Sequence, residues 1–167
     1  SDVCSSDLTE GLTTAERRNV VSIVIRVEYA GSSIIYTGDT IGKRLTDGDD
    51  ACKDAEMVMV GRHDAQEVSL DSDVMIAAHH GGNNGNAACF IEAISPSAVV
   101  FSAGHDHEHP TTAVANRFLA AGVRADSIFR TDRGDDEPGD GHWEPAGAPR
   151  CRDARDDDDL EIRIAAT

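Results

Sequence analysis

The stretch Met75–Gly85, "MIAAHHGGNNG", decides how the rest of the chain is read. A short apolar run leads into two adjacent histidines, and then into glycines and asparagines. With the preceding Ser-Asp-Val it forms "SDVMIAA", which is too short for an independent helix and reads as a buried strand. Glycine and asparagine are turn formers, so the imidazoles should stand at the carboxyl end of that strand, where a loop leaves a rigid element.

Working outward, the upstream segment "NVVSIVIRVEYAGSSIIYTGD" (19–39) gives a β-branched apolar run from Val20 to Tyr29, a Gly-Ser turn, and a second run from Ile34 to Thr37. That is a β-hairpin ending in Gly38-Asp39. Between the hairpin and the histidines a helix from about Asp50 is expected, weakened in its second half by Gly61. Downstream, Asn86 is placed to cap a helix through Ile94, with Phe90, Ile91 and Ile94 on one face and Ser95-Pro96 as its stop. "SAVVFSA" (97–103) is another strand, and Thr111–Ala121 a helix that turns Val114, Phe118 and Ala121 inward before Gly122 ends it. "SIFRT" (127–131) and "LEIRIA" (160–165) complete the set, the latter as an edge strand. Strands alternating with helices predict an α/β sheet with right-handed crossovers.

The 167 residues suffice for one domain or part of one, and 40% hydrophobic residues make it globular. A formal charge of −16 speaks against loose binding to nucleic acid or an anionic membrane, since phosphates are held mostly by Lys and Arg. Much of that charge falls in Asp135–Asp140 and Asp153–Glu161, solvated runs around an irregular acidic excursion at 134–159. No apolar run approaches the roughly 18 residues of a membrane span. The first eight residues, "SDVCSSDL", resemble a translated sequencing adapter and are set aside, so 9–167 is expected to be the carboxy-terminal part of one longer domain. Cys52, Cys89 and Cys151 then remain, an odd number without Cys-x-x-Cys spacing, which indicates neither a zinc ribbon nor a disulfide framework.

Three groups of candidate ligands fall at strand ends: Asp39 after the hairpin, His79 and His80 after "VMIAA", and His105, His107 and His109 after "VVFSA". Carboxylate with imidazole is the ligand chemistry of zinc, manganese or iron. Each group also has a plainer reading. Asp after Gly is a common turn residue, adjacent histidines on a strand point to opposite faces, and "HDHEH" is compatible with a histidine-rich surface loop.

Taken in order, "NVVSIVIRVEYAGSSIIYTGDT", "DVMIAAHHGGNNG", "ISPSAVVFSAGHDHEHPTTAVANRFLAAGV" and "IFRTDRGD" resemble the second half of the metallo-β-lactamase-fold hydrolases, most closely the hydrolase domain of the ComEC competence proteins. The resemblance covers Asn19 to about Asp135. It implies an αββα sandwich with two divalent metal ions, zinc or alternatively manganese, between its sheets. It maps Asp39 onto the metal-bridging carboxylate and His80 onto a ligand of the second metal. His79 becomes a neighbouring group or a donor to substrate, and His109 lies at the substrate-facing rim. Gly81 and Gly82 would let the backbone approach substrate, and Asn83 or Asn84 would donate to an oxyanion, with a plain turn as the other reading. Catalysis through Asp39, His79 and His109 would then be metal-dependent hydrolysis of a small or polymeric phosphodiester or ester by a metal-bridging hydroxide.

The chain departs from the family in two ways. Glu108 stands where glycine is expected, with His105 and His107 as extras, and the signature His-x-His-x-Asp-His is not found. The expectation is therefore an active parent and an inactive fragment, whose bare sheet face is prone to self-association. The alternatives are a DNA nuclease linked to DNA uptake and a non-catalytic metal-binding or assembly module. The competence likeness also favours a location outside the cytoplasm.

Overall fold

The computed structural model describes residues 12–48, 51–103 and 109–131. The expectations for residues 1–8, His105, His107, the 134–159 excursion and "LEIRIA" lie outside these. The described chain begins with α1 (Thr14–Val20). The Thr13 hydroxyl accepts from the Glu16 N–H while the Glu16 carboxylate accepts from the Thr13 N–H, a reciprocal cap. That cap makes Val20 helical, so the strand expected from Val20 starts only at β1 (Ile25–Tyr29). The turn to β2 (Ser32–Tyr36) uses Ala30 and Gly31, both at positive φ, rather than Gly-Ser. Two such residues give the turn type whose twist matches a hairpin.

From β2 the chain alternates: α2 (Asp54–Asp64), β3 (Val74–Ile76), α3 (Ala88–Ile94), β4 (Ala98–Phe101), α4 (Thr112–Ala120) and β5 (Ile128–Arg130). The sheet order is β1-β2-β3-β4-β5, antiparallel in the hairpin and parallel from β2 onward. The class is α/β, as expected. Residues alternating along the strands set Ile35, Met75, Val99, Phe101 and Ile128 on one face, where they form the core with Phe90, Ile91 and Ile94 of α3 and Val114 and Phe118 of α4. Phe101 and Phe118 meet edge to face at 5.6 Å. The other face carries Ile25, Val27 and Tyr29 of β1 and Tyr36 of β2, all exposed.

Three local expectations are corrected. α2 continues through Gly61, which borders open space, because Met59 and Val60 pack on the core and offset a glycine penalty of about 1 kcal/mol. α3 is preceded by Ala87 at the cap position, not Asn86, whose side chain is engaged elsewhere. Cys52 and Cys89 form a disulfide that the cysteine count gave no reason to expect. The pair is 37 residues apart in sequence, and only the side-by-side packing of α2 and α3 brings their Cα atoms to 6.0 Å, within bridging range.

Candidate metal-binding site

The ends of β2 and β3 are tied together before the ligands begin. Thr37 Oγ1 donates to the Ile76 carbonyl at 2.7 Å, and the Gly38 carbonyl accepts from the His79 N–H at 2.8 Å. Asp39 is thereby set beside the histidine pair. His79 and His80 do not extend β3. They lie in a tight turn, Ala78–Gly81, with φ of 49° and 57°. Strand alternation therefore does not govern where they point, which corrects the expectation of opposite faces. Two non-glycine residues in the left-handed region cost roughly 1–2 kcal/mol each and need a framework to hold them.

The His80 ring is held in direction by a backbone partner. Its Nδ1–H donates to the Ser102 carbonyl at 2.6 Å, which turns Nε2 towards Asp39, 3.3 Å from Oδ1. A carbonyl behind the imidazole is the arrangement that fixes tautomer and ring direction in metal-binding histidines. Metal–ligand distances of about 2.1 Å at a tetrahedral angle separate two ligand atoms by about 3.4 Å, close to the separation of this pair. As a bare ion pair it would contribute little, since both side chains are about half exposed, at 49% and 48%. Among the described residues no third His, Cys, Asp or Glu joins the pair.

His79 is engaged on both ring nitrogens. Nδ1 meets Asn84 Oδ1 at 2.8 Å, and Nε2 lies 3.4 Å from Asn19 Nδ2, so the ring donates to Asn84 and accepts from Asn19. Its edge packs on His109, with ring centroids 6.0 Å apart. Asp39, His79, His80 and His109 are thus gathered around one turn. Gly82 borders this cluster: a Cβ there would sit 3.1 Å from His109 Nε2 and 3.0 Å from the His79 carbonyl oxygen. Gly81, at φ +89°, is required by packing, since a Cβ would come 2.6 Å from Pro110 Cβ and 2.7 Å from the Phe101 ring. Asn83 turns its amide oxygen towards Arg117.

The framework that holds the turn is absent from the sequence reading. Asn86 is fully buried at φ 58°; its Oδ1 accepts from the Ala78 N–H and its Nδ2 donates to the Ala78 carbonyl, both at 2.8 Å. Glu56 of α2 accepts from the Asn86 and Ala87 N–H groups, one to each oxygen, at 2.8 Å. Arg117 of α4 donates to the carbonyls of Asn83, Gly85 and Asn86. Burial pushes the Glu56 carboxyl up to about 8, against the opposing pull of its two amide bonds and Arg117. Burial likewise raises Asp54, with Arg44 nearby pulling it down. For Arg117 a signal existed, because it lies three residues after Val114 on the inward side of α4. Ser102 acts through a backbone carbonyl, for which no side-chain pattern exists.

The chain is 33% identical over 129 residues, 74% of its length, to competence protein ComA of Neisseria gonorrhoeae. The similarity is to the competence-protein family. The matched chain spans 16% of that relative's length. No family model matches the chain, and no solved structure matches it.

Proposed function

We propose that this chain carries part of the metal site of a hydrolase acting on phosphodiester or ester bonds, on the second half of a metallo-β-lactamase sandwich, in a protein connected with DNA uptake. The observation that carries the reading is the His80–Asp39 pair: a ring held through Nδ1 by the Ser102 carbonyl, with Nε2 3.3 Å from a carboxylate oxygen, at the carboxyl ends of adjacent strands. Asp39 and His80 would hold the metal, with zinc favoured by the imidazole–carboxylate set and manganese the alternative. When bound, a pair of divalent ions supplies an acidified water and positive charge for a developing anion. Asp39 fixes the charge balance of the site and His80 its direction. His79, held by Asn84 and Asn19, keeps the turn in register, and His109 lines the approach that Gly82 leaves open.

The competence likeness supports DNA as the polymer concerned, so a nuclease is the second reading; the −16 charge requires that any DNA contact be made by other surfaces. The Cys52–Cys89 disulfide supports work in an oxidising compartment outside the cytoplasm. The test is hydrolysis of a chromogenic phosphodiester and of plasmid DNA by a protein that joins this chain to a complete ligand set. Asp39→Ala and His80→Ala should each lower the metal-dependent rate by more than about a hundredfold, whereas His105→Ala should be mild. Equal rates in all three variants would sink the assignment.

A further inference from the structure

Among the described residues β1 pairs with β2 alone, so β1 is an edge of the sheet. Along it and the segment before it, Val21, Ile23, Ile25, Val27 and Tyr29 alternate outward and are all exposed, Ile23 at 77% and Tyr29 at 83%. An open apolar edge is a template for another strand, and its charged residues select which strand. The Ala30–Gly31 turn closes on the Tyr29–Ser32 pair, so Ile25, Val27 and Tyr29 direct their backbone groups to β2. Arg26 and Glu28 therefore direct theirs outward.

We propose that β1 pairs with β1 of a second copy of this chain, antiparallel about a two-fold axis at Val27. The sequence is self-complementary about that point. Val27 meets the partner's Val27 in a non-hydrogen-bonded pair, where side chains come closest, and Ile25 meets the partner's Tyr29. Arg26 falls opposite the partner's Glu28, and the outward backbone groups of both form the new ladder. Within one chain Arg26 Nη1 already reaches Glu28 Oε2 at 2.9 Å, with the Glu28 side chain 61% exposed and open to a second cation. Across the axis the four charges alternate in sign. The symmetry is closed and isologous, so association stops at two copies. The proposal is independent of the metal site.

Sedimentation equilibrium of the chain over a range of concentrations tests it. The wild type should rise towards twice the monomer mass. R26E and E28R each place like charges opposite one another across the axis and should remain monomeric. An equimolar mixture of R26E and E28R should regain the dimer, because opposite charges then face each other in the mixed pair, and the double variant R26E/E28R should dimerise like the wild type. The mixture also shows that each single variant is folded and competent. A wild type that stays monomeric overturns the proposal and leaves the edge to a different partner. Single variants that associate as the wild type does, or a mixture that stays monomeric, overturn it equally.

Discussion

Glu56 gives the most demanding prediction. Its carboxyl is fully buried, accepts the N–H groups of Asn86 and Ala87, and is pushed from the ordinary 4.5 up to about 8. Between those two values the folded chain binds one proton that the unfolded chain has lost. Stability must therefore fall as pH rises through this window and level off above about 8. At about 1.4 kcal/mol per pH unit the whole interval is worth about 5 kcal/mol. The carboxylates held low, such as Asp73 by the Ser33 N–H and hydroxyl and Asp47 by Lys53, have opposite sign; their contribution is complete by pH 5 and does not tilt the window. Glu56→Gln removes the titration but turns an amide NH2 towards one of the two backbone donors, at a cost of about 1–3 kcal/mol. Urea unfolding at pH 5 to 9 should thus show a falling wild-type curve and a flatter variant, with the variant the less stable at pH 5 and the gap closing or reversing above 8. Parallel curves for the two proteins, or a wild type independent of pH between 5 and 8, would refute the reasoning.

Replacing Cys52 and Cys89 together by serine, or reducing the wild type, should cost about 4 kcal/mol, from closure of the 37-residue separation, read as a lower urea midpoint. Asn86→Ala removes both bonds to Ala78 and leaves a left-handed residue without its bracket, so a loss of about 2–4 kcal/mol is expected in the same assay. Gly81→Ala should destabilise by about 1–3 kcal/mol through its φ of +89° and the overlap with Pro110 and Phe101. A thermal midpoint unchanged from wild type would contradict the close packing there.

The β-hairpin, the three later strands and α4 were legible because period-two and helical apolar patterns report burial directly, as Ile35, Val99 and Val114 show. Asp39, His79, His80 and His109 could be proposed because they fall at strand ends; the fold sets His80 beside Asp39 and His79 beside His109, with no three of them sharing one point among the described residues. Other features depend on contacts far apart in sequence. The Glu56 carboxyl beneath Asn86 and the Arg117 fork on the 83–86 carbonyls join two helices to one loop, and the Cys52–Cys89 bridge ties the segment before α2 to α3, each over 30 or more residues. Asn86 misled for a local reason: Asn suits a cap and a left-handed turn alike, and the buried Ala78 backbone decided between them. Val20 misled because β-branching suggested a strand while the Thr13–Glu16 cap fixed a helix.

The proposed metal-binding edge of His80 Nε2 and Asp39 can be probed directly. Long-range nitrogen–proton NMR of the histidine side chains during a zinc titration tests it atom by atom. Without zinc, His80 should be in the Nδ1–H tautomer held by Ser102; on addition, its Nε2 should shift while Nδ1 keeps its proton, and Asp39→Asn should weaken the response. A His80 that exists mainly as the Nε2–H tautomer, or a zinc response confined to other histidines and indifferent to Asp39, would contradict the account.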